Sequence, residues 1–182
     1  MTVKTKTYST AKAALDDYNY ASCEKIIDRI KNCDFKNERE NADIINEIVL
    51  WKINRLPKID NELIIAIKDL SYKVTTYDNV NAHKNEIAVI YNKLIKSTGV
   101  NAAMASTVLK MFMPEALPII DQRAYREIFN GEEMPSKVDC DTYLKYVDEV
   151  IKQFNNERGI DFSNMDKVLY QRDKAKGNKI KY

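Results

Sequence analysis

The chain has 182 residues, 45% apolar and 31% charged, a globular mixture sized for one compact domain or a domain with a small helical extension. Only four glycines and four prolines interrupt it, too few for a β-sandwich or barrel, which needs a turn every several residues. A net charge of +2, from 29 basic and 27 acidic residues, gives no global attraction to a polyanion, so any basic face must come from local placement.

Helical spacing dominates the chain, with no internal repeat or low-complexity block. A first helix is predicted over 10–31, polar and rich in tyrosine, followed by a charged turn over 32–41. A second is predicted over 42–54, with Ile44, Ile45, Ile48, Val49 and Leu50 inward and Pro57 closing it. Asp60 is placed to cap a third helix, 61–73, carrying Leu63, Ile64, Ile67 and Leu70. Residues 74–79 read as a loop. A fourth helix, 80–97, leads through Thr98-Gly99-Val100 into a fifth, 101–113. Pro114 and Pro118 bracket a connection, and a sixth helix opens after Asp121 and ends at the Asn130-Gly131 signal. A seventh covers 141–155 and the last 163–174, before a lysine-rich tail over 174–182. The expected fold class is all-α, a single helical domain over 1–182.

Three cysteines (Cys23, Cys33 and Cys140) without a CxxC pair, and one histidine, His83, exclude a cysteine-rich zinc site and a four-cysteine iron–sulfur cluster within one chain. So sparse a set points to a reducing compartment. The N-terminal residues lack a continuous apolar core, and no run of about 18 apolar residues occurs, so a soluble cytoplasmic protein is expected. The lysines at the two ends, Lys4, Lys6 and Lys12 and then Lys174, Lys176, Lys179 and Lys181, read first as solvated tails.

The informative segment runs from Lys93 to Phe129. Its first half joins two helices through a few residues, with Gly99 where the chain reverses and a positive φ is expected. Asn101 follows as a cap, and the small residues Ala102, Ala103, Ala105 and Ser106 let the helices approach closely. Outward amides at such a turn form a seat for a phosphate oxygen, read as backbone and not as sequence. An ordinary packed αα-hairpin explains the same residues. The second half reads Leu117-Pro118-Ile119-Ile120-Asp121-Gln122-Arg123, then Arg126.

Taken together, the two halves resemble the helix-hairpin-helix DNA glycosylase superfamily, in which a hairpin of type LPGVG-xx-A precedes a Pro-apolar-Asp turn opening another helix. Gly99, Val100 and Ala105 match the hairpin, Asp121 falls where the family's catalytic aspartate lies, and Arg126 matches an arginine of the following helix. The match covers roughly forty residues, with the helix-hairpin-helix element within 80–113. Three positions depart from the pattern: Asn101 replaces the second hairpin glycine, Ser97-Thr98 the Leu-Pro, and Ala103 the Schiff-base lysine of bifunctional members. The resemblance implies a monofunctional enzyme with Asp121 as its catalytic carboxylate. Residues 99–103 (Gly99, Val100, Asn101, Ala102, Ala103) with Arg123 and Arg126 would form its DNA-binding face. Asp121 is also placed to be simply an N-cap, and the two roles are compatible. A carboxylate there would be kept ionised by the helix dipole and would offset the oxocarbenium-like charge of base excision.

Ile45 to Lys52 resembles, more weakly, a helix of the adenine-excising members. On that reading Glu47 is a base-protonating acid, Trp51 a wedge or stacking platform in the DNA, and Lys52 a candidate lyase nucleophile. Core packing for Trp51 and plain surface charge for Glu47 and Lys52 explain the same residues. The run Met165 to Arg172 resembles the closing helix of small bacterial proteins with an 8-oxoguanine-glycosylase fold. The resemblance implies no metal and no organic cofactor. Its expected partner is double-stranded DNA with a modified base, bound by a monomer. A helix-hairpin-helix DNA-binding module without catalysis, or a helical protein-interaction domain, is the alternative.

Overall fold

A computed structural model describes residues 24–33, 35–52 and 57–179. The described residues form eight α-helices and no strand, as the all-α expectation requires. The chain divides into two compact units, Met1–Leu56 and Pro57–Tyr182.

In the first unit, α1 (Glu24–Asn32) packs against α2 (Glu38–Lys52). The predicted helix over 10–31 lies outside the described residues up to position 23, and the end of the second beyond position 52. Helix α2 begins four residues earlier than expected, because Asn37 caps it. Its Oδ1 accepts from Arg39 N at 3.0 Å and Glu40 N at 3.3 Å, and Glu38 and Glu40 suit the positive end of the helix. Of the residues expected inward, Ile44 is buried, whereas Ile45, Val49 and Leu50 are exposed. Apolar residues at 44, 45, 48, 49 and 50 wrap most of a helix circumference, and one buried stripe cannot hold them all.

The second unit holds α3 (Asn61–Ser71), α4 (Lys84–Lys96), α5 (Ala102–Phe112), α6 (Gln122–Ile128), α7 (Cys140–Phe154) and α8 (Met165–Ala175). Asp60 caps α3 as expected, accepting from Glu62 N at 3.1 Å. Leu63, Ile67 and Leu70 are buried along one face, but Ile64 falls off that stripe and is exposed. Helix α4 starts at Lys84 instead of position 80. Asn79 Oδ1 accepts from Thr76 N and from the Thr75 and Thr76 hydroxyls, which winds residues 77–83 into two short 3-10 turns.

Helix α4 packs on α3, α5 and α7, and its Tyr91 ring stacks on Tyr143 of α7 with centroids 4.6 Å apart. Leu109, Met113, Tyr146, Val147, Phe162, Met165 and Leu169 complete the core. Helix α6 ends as the sequence indicates. Asn130 and Gly131 adopt φ of 52° and 99°, and Gly131 N closes the helix on Arg126 O at 2.8 Å. Helix α8 packs along α6, so it frames whatever α6 presents at its start.

Candidate active site

The turn between α4 and α5 is tight and held from several sides. Gly99 has φ of 78°, Val100 N donates to Ser97 O at 3.2 Å, and Lys58 N donates to Thr98 O at 2.9 Å. Asn101 Oδ1 caps α5 through Met104 N at 2.9 Å. Val100 and Ala105 are buried and anchor the turn. The N–H groups of Gly99, Asn101, Ala102 and Ala103 meet no acceptor among the described residues, as a phosphate seat needs. Lys93 and Lys96 are exposed beside the turn, but Asp60 and Glu62 share their hollow and reduce the local positive field. Lys110 is buried in the core and is not displayed beside the turn.

Pro118 to Ile120 crosses the interior without secondary structure, so its polar backbone groups need side-chain partners. They have them. Tyr143 donates its hydroxyl to Pro118 O at 3.1 Å, and Tyr146 donates to Ile119 O at 2.9 Å. Ile119 N donates to Asp166 Oδ2 at 3.3 Å, and Ile120 N to Ser106 Oγ at 3.1 Å. Three helices, α5, α7 and α8, thus fix the two residues that lead into Asp121. Burial first, and the Asp121 charge second, push the Tyr146 hydroxyl well above its ordinary range, which keeps it a neutral donor.

Asp121 is half-buried and caps α6, with Oδ1 accepting from Arg123 N and Ala124 N, both at 2.8 Å. Its Oδ2 accepts from no described residue. Asp121 borders a pocket of about 330 Å³ with Ile119, Asp166, Lys167, Tyr170 and Gln171. Burial raises its carboxyl above the ordinary 3.8, the two capping N–H groups pull it back, and the Asp166 charge adds to the rise. The expectation that the helix end alone keeps it ionised is therefore incomplete: desolvation outweighs the capping bonds.

The two arginines expected at DNA are occupied elsewhere. Arg126 is buried and clasps Asp173 of α8 through Nε at 2.8 Å and Nη2 at 2.7 Å. Arg123 Nη1 donates to Asp173 Oδ2 at 3.0 Å and to Asn178 O at 2.9 Å, and its guanidinium lies 5.4 Å from the Tyr170 ring centroid. Hydrogen bonds from Arg126 hold the Asp173 carboxyl down to about 2. Bidentate and charge-assisted bonds of this kind lock α6 to α8, and both guanidiniums are engaged within the protein. The lysine-rich end is tied in as well: Asn178 Nδ2 donates to Asp173 at 2.7 Å, and Lys176 pairs with Glu127 at 2.6 Å.

Glu47, Trp51 and Lys52 all lie on α2, in the first unit, whereas the turn and Asp121 lie in the second. Glu47 is engaged by the Arg29 guanidinium of α1, and Trp51 is half-buried. The side chain of Lys52 lies outside the described residues.

Two larger hollows in the second unit each hold an ion pair. One, about 400 Å³ between α3 and α4, has the Lys73–Glu86 pair at 2.6 Å on its edge. The other, about 580 Å³, is crossed by Lys84–Asp148 at 2.8 Å. The residues the sequence did not single out are Tyr143, Tyr146 and Asp166, and it marked Ser106 only as a small packing residue. Each acts on a segment at least 14 positions away, where local pattern carries no signal. Among the described residues no helix is long and apolar enough to cross a membrane. No family model, no curated protein and no solved structure matches the chain.

Proposed function

We propose that this chain is a monofunctional DNA glycosylase of the helix-hairpin-helix type. It seats a DNA phosphate on the amides of Gly99, Asn101, Ala102 and Ala103, takes a modified base out of the stack into the Asp121 pocket, and hydrolyses the N-glycosidic bond. The observation that carries this reading is the division of labour within one carboxylate. Asp121 Oδ1 caps α6 while Oδ2 accepts from no described residue and borders a pocket of about 330 Å³, within the roughly 300–1,000 Å³ of small-ligand sites. The tyrosine, serine and aspartate hydrogen bonds on residues 118–120 support it further, since a catalytic group must be held by its surroundings before the substrate arrives.

The test is a panel of duplexes, each with one modified base, scored for abasic sites under single-turnover conditions. Excision of at least one base, with salt-dependent duplex binding, is the expected result. The capping bonds of Asp121 and the internal use of Arg123 and Arg126 favour a second reading, a helix-hairpin-helix DNA-binding module without catalysis. Salt-dependent binding with no excision from any duplex would select that reading.

A further inference from the structure

The Asp121 pocket contains a second carboxylate, so far described only as the acceptor for Ile119 N. Asp166, in the first turn of α8, is buried and borders the pocket together with Asp121. Its Oδ2 accepts from Ile119 N and its Oδ1 from Lys167 N at 3.0 Å. The same Oδ1 lies 3.8 Å from Nζ of Lys110, on α5. Lys110 is only 7% exposed and its Nζ has no hydrogen-bond partner among the described residues. The Phe162 ring centroid is 6.0 Å away. Burial pushes the Lys110 ammonium down from its ordinary value, while the Asp166 and Glu115 charges push it back up. Packing alone does not call for a lysine here, since an apolar side chain would fill the space without desolvating a charge. What the ammonium supplies is a counter-ion for Asp166.

We propose that Asp166, with Lys110 as its buried counter-ion, is a positioning residue that acts through Asp121 to make it the proton acceptor of the site. Resting on the glycosylase reading, the step is as follows. The water oxygen bonds to the sugar carbon, and the carbon–nitrogen bond breaks with its electron pair leaving on the base. The water proton passes to Asp121 Oδ2, and the base nitrogen takes a proton from solvent. An anion at Asp166 makes Asp121 hold that proton more readily. The other groups facing Asp121 are Arg123 on α6, Tyr146 on α7, and Lys167 and Tyr170 on α8. Of these, two cations oppose Asp166: Arg123, whose guanidinium is engaged by Asp173, and Lys167, whose ammonium donates to Asn164 Oδ1.

The experiment follows the Asp121 carboxyl by carbon NMR through a pH titration of the free protein, with no DNA present. Asp166→Asn and Asp166→Ser should each lower the Asp121 midpoint by at least about half a pH unit. The acid limb of the excision profile should move down with it. An unchanged midpoint in either folded variant overturns the proposal. For the counter-ion, Lys110→Met should lower Tm by more than about 5 °C, and adding Asp166→Asn should recover at least half of that loss. Strict additivity of the two changes would overturn the pairing. The titration and the chemistry fail separately. A midpoint shift without excision from any duplex supports the carboxylate pair and removes the glycosylase reading. Excision without a midpoint shift does the reverse.

Discussion

Replacing Asp173 by asparagine should unfold the second unit far more easily than any change at its surface. The Asp173 carboxylate is 1% exposed and receives Arg126 Nε and Nη2, Arg123 Nη1 and Asn178 Nδ2 at 2.7–3.0 Å. Asparagine keeps the shape but leaves the poorly solvated Arg123 guanidinium without its carboxylate, and Arg126 with only Glu133, 3.5 Å from its Nη1. Breaking a buried pair in this way costs about 3–5 kcal/mol, which for a unit of this size lowers Tm by roughly 10 °C or more. The pH dependence gives an independent handle. The folded-state carboxyl is depressed from the ordinary 3.8 to about 2. Its contribution is therefore fully present above the unfolded value and is lost as pH falls through the folded one. The integrated effect is about 2 kcal/mol. Thermal melts of both proteins from pH 6 down to about pH 2 measure the two quantities together. A loss below about 1 kcal/mol at neutral pH, or acid limbs that coincide in the two proteins, would refute the buried-clasp reasoning.

Three further outcomes are expected. Gly99→Val forces a β-branched residue into a φ of 78°, so it should cost about 1–2 kcal/mol and weaken salt-dependent duplex binding; affinity equal to that of the parent would mean that the turn is packing only. Tyr146→Phe leaves the part-buried Ile119 O without its donor, so it should cost about 1 kcal/mol and reduce excision more than binding, as read by single-turnover rates beside equilibrium titrations. On the proposed glycosylase reading, Ala103 stands where bifunctional members of that superfamily carry a lysine, so borohydride trapping on a processed duplex should yield no covalent adduct; an adduct abolished by Lys52→Ala would overturn the monofunctional proposal.

What the sequence made legible is local. Asp60, Asn101 and Asp121 cap helices because a side-chain oxygen reaches an amide two or three residues on, and a short window contains both partners. Gly99 and Asn130-Gly131 mark reversals for the same reason. The start of α2 was less legible, since residues 32–41 are uniformly polar and Asn37 does not stand out from its neighbours. Ile45, Val49 and Leu50 misled because period alone does not say which side of an apolar cylinder is covered. The roles of Arg126 and Lys110 were not legible at all. A cation in a helix reads as surface, and only the fold brings Asp173, 47 positions on from Arg126, and Asp166 to meet them. The candidate site therefore divides in two: its carboxylate lay in the pattern, and the residues that hold it lay in the tertiary structure.

The central claim is that Asp121 does chemistry as well as capping, and Asp121→Asn separates the two. Asparagine caps about as well as aspartate, and Oδ1 keeps both N–H bonds, so stability should change by less than about 1 kcal/mol. Relief of the desolvation that raises the Asp121 carboxyl offsets the lost charge–dipole attraction. A neutral amide accepts no proton from water and offsets no positive charge on the sugar, so the single-turnover excision rate should fall at least about 100-fold. Duplex affinity should hold level or rise, with one anion fewer near the phosphates. Excision by Asp121→Asn at close to the parent rate, on a base the parent removes, would contradict the account and leave Asp121 as a cap alone.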